Sequence, residues 1–241
     1  MTIHRLDVTE STNLDARLGS PGDVFVAEWQ RAGRGRLDHA WHAAKGENLT
    51  FSAVLACGER TPCEIATLPL VVGLAVLKAL VPFVDGASLL KLKWPNDVLA
   101  SGRKLAGILC ERHGDNVIAG VGINVNERSF PCEIASRATS LAVLAGHSLD
   151  RDEILACVLG SIEKLHALWL DEGFAAIYGE FADVDFLKGR NVSVWQTDGD
   201  PEPAAGVCGG IAPDGSLSVG GRPVFAGEAH VEFQEKGEPN V

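Results

Sequence analysis

Apolar and polar positions alternate through the first half of Glu47–Ala56, the pattern of a strand with one covered face. Val24–Ala27 reads as a short buried strand and Ile3–Val8 as another. Leu89–Trp94 is strand-like, alternating lysine with apolar residues. The tight turn Ser101-Gly102-Arg103 leads into a further strand starting Lys104–Leu109. Asp115–Asn126 reads as a strand whose glycines permit close approach of a backbone or a ligand. The period becomes helical from Ile65 to about Leu80. It does so again after Asp150, where Ile154, Leu155, Val158, Leu159, Ile162, Leu165, Leu168 and Trp169 recur on one face. Asp150 is the expected N-cap, Glu153 completes a capping box, and Gly173 ends the helix. Leu14–Leu18 and Phe174–Ala182 are expected as short helices, with Arg128–Gly146 irregular. After about Leu187 the pattern shifts to glycine-rich, short alternating runs: Val192–Trp195, Gly206–Cys208, Ser216–Val219 and Val231–Phe233. Turn signals at Asp198-Gly199 and Asp214-Gly215 separate them, which predicts a small all-β barrel. The expectation is an α+β chain: a mixed sheet with helices packed on it over 1–186, the barrel over 187–235 and a frayed tail over 236–241.

Charge narrows the partners. The formal net charge of −11 makes duplex nucleic acid an unsuitable general partner. The six cysteines are scattered without zinc spacing and no signal peptide is evident, so the expectation is a cytoplasmic protein with reduced, mostly buried thiols. The longest apolar segment, Leu68–Leu80, is too short for a bilayer and contains Pro69, Gly73 and Lys78, so no membrane role is expected.

Against this acidic background Glu28–Trp41 is a local basic island. Gly33 and Gly35 leave backbone N–H groups able to turn toward a ligand, and Arg31, Arg34 and Arg36 add forked donors for carboxylates or phosphates. The alternative is a surface turn with solvated arginines. Asp38 stands where a dinucleotide fingerprint needs its third glycine, and no Walker sequence occurs. His39 and His42 have no further ligand in view for a metal. In Lys93-Trp94-Pro95-Asn96-Asp97, proline fixes a turn after a strand, Trp94 offers a flat surface, and Asn96 and Asp97 add an amide and a carboxylate. Ser11, Thr12 and Asn13 either cap a helix or gather hydroxyls and an amide around a compact polar ligand.

Taken in order, five motifs closely resemble the biotin protein ligases. They are Ser11-Thr12-Asn13, Gln30…Gly33-Arg34-Gly35-Arg36…Trp41, Lys93–Asp97, Lys104–Leu109 and Gly122–Asn126. Asp214–Leu217 and Gly227-Glu228 look like that family's terminal barrel, so the resemblance implies a class II synthetase-like catalytic domain followed by an SH3-like barrel. It further implies a two-step reaction. Biotin's carboxylate attacks the α-phosphate of Mg-ATP, and a lysine of a biotin carboxyl carrier domain then attacks the acyl-adenylate. ATP and Mg²⁺ are the expected cofactors.

The roles implied by the resemblance follow residue by residue. Ser11, Thr12, Asn13 and Gln30 resemble the ligands of the biotin ureido ring. Gly33, Arg34, Gly35 and Arg36 resemble the loop folding over biotin and the adenylate phosphate, with Trp41 packed on the intermediate. Lys104 resembles the lysine that contacts carboxylate and phosphate oxygens. Lys93, Asn96 and Asn124 would lie near the nucleotide, and Gly107 would let the biotin ring rest on its strand. Lys104, Arg36 and Asp97 are the candidate catalytic residues; Asp97 binds Mg²⁺, helps deprotonate the incoming lysine, or caps its turn.

Two departures matter. Asp38 and His39 stand where many members have glycine and arginine, which implies a weaker, pH-dependent hold on the adenylate phosphate. Ser11 lies almost at the start of the sequence, so no DNA-binding segment and no operator binding are expected. A lipoate-type ligase and a non-catalytic biotin-binding module are the competing readings. A homodimer through a paired sheet edge, common in the family, is left open by the sequence.

Overall fold

The larger sheet collects seven strands in the order β1-β2-β3-β7-β6-β5-β4. These are β1 (Thr2–Leu6), β2 (Asp23–Ala27), β3 (Leu49–Ala56), β4 (Leu90–Lys93), β5 (Asp97–Ala100), β6 (Arg103–His113) and β7 (Asn116–Ile123). β1 and β2 are parallel and the remaining pairs antiparallel, which makes the sheet mixed. This computed structural model describes residues 1–86, 89–195 and 202–231, apart from the side chain of Asp38. The expected Asp198-Gly199 turn, the strand end at Phe233 and the 236–241 tail lie outside the described residues.

Strand alternation sends Leu49, Phe51, Ala53 and Leu55 of β3 and Val117, Ala119, Val121 and Ile123 of β7 to one face. Two helices cover that face, α3 (Leu68–Leu80) and α5 (Arg151–Glu172). On α5 the buried residues Ile154, Leu155, Val158, Leu159, Ile162, Leu165 and Trp169 recur at helical spacing, so its apolar stripe is spent on the core. β3 is covered on both faces over most of its length, not on one as its alternation suggests. The second face holds α1 (Thr12–Asp15), whose trailing Ala16 packs with Phe25, Val54 and Ile118.

The expected helix from Ile65 is two helices. Thr61 and Glu64 form a capping box that starts α2 (Pro62–Ile65) early, and Pro69, which has no N–H for the carbonyl four residues back, interrupts the ladder before α3 continues. The helical stretch Pro62–Phe83 therefore reaches 22 residues; its 18-residue apolar window has mean hydropathy 2.1 and is 72% buried within the fold. Asp150 caps α5 by accepting from Asp152 N at 2.8 Å and Glu153 N at 3.3 Å; Gly173 (φ 80°) ends it. Removing that cap in Asp150→Ala lowers stability by about 1 kcal/mol, measurable by urea denaturation. Two short helices complete the set, α4 (Leu141–Ala145) in the segment expected to be irregular and α6 (Ala175–Tyr178).

The chain then builds a five-stranded sheet of order β11-β10-β9-β8-β12, compatible with an SH3-like barrel. Its strands are β8 (Asn191–Trp195), β9 (Ala204–Ile211), β10 (Leu217–Val219), β11 (Arg222–Val224) and β12 (Glu228–Val231). The sequence pattern missed β11, which carries Pro223 and only three residues. Segment 184–186 bonds across Leu92 (Leu92 N to Val184 O 2.7 Å, Phe186 N to Leu92 O 2.9 Å), covering the β4 edge beside the barrel. The cysteines are all free, but only Cys57 and Cys208 are buried. Cys63, Cys132 and Cys157 are exposed, which corrects the expectation of mostly buried thiols; Cys157 lies off the apolar stripe of α5.

Candidate active site

Register builds the floor of a cleft on the second face. Thr50 pairs with Gly122, Gly122 with Gly107, Gly107 with Asp97, and Asp97 with Lys93. Directly paired residues share a face, so one row crosses β3, β7, β6, β5 and β4. Four steps at the usual inter-strand spacing make it roughly 19 Å long. A neighbouring row, Ser52–Gly120–Leu109, lies beside its β3 end. All these residues except Ser52 line one cleft enclosing ≈ 890 Å³ of space, its open mouth included.

Glycine in the floor has a steric cause. A Cβ on Gly122 would come within 2.7 Å of the Trp41 indole nitrogen, and one on Gly120 within 3.0 Å of Asn13 Cγ. Gly107 is tight too, with Trp41 Cζ3 and Lys104 Cε both at 3.1 Å. The indole thus lies flat on the middle of the row. Its Nε1 is buried and has no hydrogen-bond partner among the described residues, and Lys104 Nζ stands 5.7 Å from the ring centroid.

The β3 end is rich in acceptors. Gln30 Oε1 accepts from Thr12 N at 2.7 Å, which fixes the orientation of its amide, and lies 3.1 Å from Thr12 Oγ1. Ser52 Oγ is 2.7 Å from Thr12 Oγ1 and 2.6 Å from Asn13 Oδ1. Those three oxygen–oxygen contacts share only two hydroxyl hydrogens, because the Gln30 and Asn13 oxygens can only accept. Gln30 Oε1, Asn13 Oδ1 and the two hydroxyl oxygens leave acceptor capacity for a ligand N–H. Ser11, Thr12 and Asn13 are all buried here, and Ser11 makes no side-chain cap, so this is more than a helix start.

The glycine–arginine loop is a closed hairpin. Trp41 N donates to Gly33 O at 2.9 Å and Gly35 N to His39 O at 2.6 Å. The glycines serve this crossing: a Cβ on Gly33 would lie 2.8 Å from Trp41 O, and one on Gly35 3.1 Å from His39 O. This corrects the reading of Gly35 N–H as turned toward a ligand. Gly33 is off the cleft lining while Gly35 is on it. The hairpin also separates its arginines. Arg34 Nη2 reaches Glu111 Oε2 at 3.1 Å near Asn13, whereas Arg36 Nη1 donates to Gly227 O at 3.1 Å on the barrel. Arg31 points away to Glu10 at 3.3 Å. Buried Glu127 anchors the chain after Trp41 by accepting from Ala44 N at 3.3 Å and from the Asn48 amide, with His42 Nε2 3.4 Å away. Among the described residues no group of three or more His, Cys, Asp or Glu could hold a metal.

The far end is cationic. Lys104 Nζ sits 2.7 Å from Asp97 Oδ1, an ion pair outside hydrogen-bond alignment, and that oxygen has no hydrogen-bond partner among the described residues. Burial pushes the Lys93 ammonium and the Arg36 guanidinium below their usual pKa, with Asp97 and Glu228 pulling both back up. At neutral pH a charged Lys93 is held at a cost to folding. A folded-state pKa below the unfolded 10.5 contributes stability above the unfolded value, lost as pH falls through the folded one. Lys93→Met should therefore raise Tm, with about 2–4 °C for each 1 kcal/mol relieved in a chain of this size. Differential scanning calorimetry checks the effect.

Other expected residues fall differently. Asn96 lines the cleft, but its Nδ2 is spent on Ile108 O at 2.7 Å. Asn124 is off the lining: it is buried, and its Nδ2 donates to Thr139 O at 3.0 Å, tying down the segment before α4. Trp94 is a core residue, 2% exposed, and its Nε1 donates to Gly215 O at 3.0 Å, joining sheet to barrel. Gly120 lies against Asn13, the close approach expected of that strand's glycines, whereas Thr50, Ser52 and Glu111 were not singled out from the sequence; for Thr50 and Ser52 the signal was alternate polar positions on β3 facing alternate glycines on β7.

A sequence profile of the Biotin/lipoate A/B protein ligase family matches residues 4–126. The chain is 35% identical over 165 residues to the bifunctional ligase/repressor BirA of Bacillus spizizenii, and spans about half, 49%, of that relative's length. It is 34% identical over 239 residues to the biotin–[acetyl-CoA-carboxylase] ligase of Mycobacterium tuberculosis, covering 94% of this chain and 88% of that one. The biotin protein ligase of Aquifex aeolicus, solved in complex with biotin and ATP, superposes with a TM-score of 0.84 at 30% identity over 96% of this chain and 98% of that one. A cleft built across the sheet from the segments that carry the motifs, and a family match spanning β1 to β7, lead to one conclusion: this chain belongs to the biotin/lipoate A/B protein ligase family.

Proposed function

We propose that the chain is a biotin–[biotin carboxyl carrier protein] ligase, acting in the cytoplasm. It would join biotin to ATP as biotinyl-5'-AMP and pass the biotinyl group to one lysine of a carrier domain. The observation that carries this reading is the single row of residues running from the acceptor-rich end at Thr50 to the cation Lys93, with Lys104 reaching over it to Asp97. A urea-like head with two N–H donors suits the first end, and a carboxylate meeting a phosphate suits the second.

In the first step a biotin carboxylate oxygen bonds to the α-phosphorus, the bond to the β-phosphate oxygen breaks, and pyrophosphate leaves. Both reactants are anionic, so they repel until Lys104, Lys93 and Arg36 offset their charge. The same cations stabilise the charge gathered on the phosphoryl oxygens in the transition state. Trp41, resting on Gly122 and Gly107, would pack against the intermediate and keep water from it. In the second step the carrier amine attacks the acyl carbon, AMP leaves with the bonding pair, and an amide forms. Asp97, on the same row, would take the amine's proton. Asp97 and Glu228, both on the cleft wall, would hold an ATP-borne Mg²⁺, and that ion would draw charge from the phosphates when bound.

The test is one incubation of the chain with ATP, Mg²⁺, a biotin carboxyl carrier domain and either biotin or lipoate, read by intact mass. A gain of one biotinyl group with biotin alone is expected. A gain with lipoate only, or bound biotin without transfer, would overturn the reading.

A further inference from the structure

Glu111 lies outside the expected site, yet it touches that site twice. It extends from β6 beside the acceptor-rich end, opposite Ile118 in the register. Its Oε2 accepts from Asn13 Nδ2 at 2.6 Å, while Arg34 Nη2 reaches both its oxygens at 3.2 and 3.1 Å, and Arg17 Nη2 stands 3.5 Å from Oε1.

The Asn13 amide can face two ways, and only its neighbours decide between them. A carboxylate is acceptor-only, so the NH₂ group must turn to Glu111. That leaves Asn13 Oδ1 against Ser52 Oγ at 2.6 Å, over Gly120 and toward the cleft. Nothing else among the described contacts enforces this choice. Leu109 O is 3.5 Å from Nδ2, a weak second acceptor, and the Ser52 hydroxyl serves a donor or an acceptor equally well. With the amide reversed, Asn13 would present an N–H to the cleft in place of an acceptor.

We propose that Glu111 is a positioning residue for substrate recognition: its carboxylate locks the Asn13 amide with the oxygen toward the cleft, where it accepts an N–H of the biotin ureido ring. This rests on the ligase reading above and deepens it. Arg34 and Arg17 fix the carboxylate in place, so the glycine–arginine hairpin braces the same lock.

The experiment measures biotin affinity by calorimetry, together with KM for biotin, KM for ATP and kcat at saturating biotin, for the full chain. Glu111→Gln keeps the size of the side chain and removes its acceptor-only character. It is expected to weaken biotin about tenfold or more, in line with a lost charge-assisted hydrogen bond. ATP KM and kcat should stay within about threefold of the parent, because the lock does not face the reacting atoms. Asn13→Asp should also weaken biotin by placing two carboxylates together. The double variant Asn13→Asp/Glu111→Gln restores a donor–acceptor pair, with the introduced amide now donating to the introduced carboxylate. It also returns an acceptor to the cleft, so it should regain most of the affinity. A merely structural role predicts no such regain. Unchanged biotin affinity in Glu111→Gln, or a double variant as weak as the worse single, overturns the proposal while the ligase reading stands. A parent chain that binds no biotin overturns both.

Discussion

Lys104→Ala is expected to lower the rate of adenylate formation by about 100- to 1000-fold, the usual consequence of deleting one preorganised charge from a transition-state site. Lys104 reaches over the row where the two acids would meet, its Nζ 2.7 Å from Asp97 and 5.7 Å from the Trp41 ring. The loss should appear in kcat and in kcat/KM alike, since the charge it offsets grows only as the phosphorus gains its fifth oxygen. Removing the ammonium also strands the Asp97 carboxylate, which by itself costs stability. The double variant Lys104→Ala/Asp97→Asn separates the two effects: Tm recovers and adenylation does not. Pyrophosphate release in the absence of carrier is the readout. A rate within about fivefold of the parent would remove Lys104 from the chemistry.

Gly122→Ala should be nearly as damaging, for a steric reason. A methyl group there overlaps the Trp41 indole, with Nε1 at 2.7 Å and Cζ2 at 2.5 Å, so the ring must leave the floor. The hairpin that carries it is closed by Trp41 N to Gly33 O and cannot slide without breaking that bond. Displacing the ring by an ångström or more is expected to cost about 100-fold in kcat/KM for biotin. The fold should survive, because Gly122 faces the cleft and not the helical core. Gly160→Ala is the matched control: a Cβ there meets nothing within 4 Å, so it should leave activity unchanged and add up to about 1 kcal/mol of stability. Comparing the two by kinetics and thermal melts tells crowding of the site from a general effect of replacing glycine.

The elements were legible where local pattern is strong. The α5 stripe from Ile154 to Trp169 and the strands around β3, β6 and β7 could be placed from periodicity alone, because burying one face demands that spacing. The motif residues were legible as chemical types, and most of them line one cleft. What could not be read was anything set by register or by distant partners. The row Thr50–Gly122–Gly107–Asp97–Lys93 draws on five strands, and no local window shows which residues will stand opposite each other. Arg34 and Arg36, two residues apart, part company because one meets Glu111 and the other a carbonyl 191 positions away. Gly33 and Gly35 suggested an anion nest, but their backbone closes a hairpin, a choice decided by where Trp41 docks. Asn124 and Trp94 carry polar groups that the packing spends on backbone carbonyls at 3.0 Å, leaving neither amide nor indole N–H for a ligand.

The central claim is that this cleft bonds biotin's carboxylate to the α-phosphorus of ATP before any carrier lysine reacts. Biotin labelled with heavy oxygen in its carboxylate tests that directly, with the released AMP weighed after carrier biotinylation. One heavy oxygen in the AMP phosphate for each biotin transferred is the result predicted here, and AMP of natural mass alongside biotinylated carrier would contradict it.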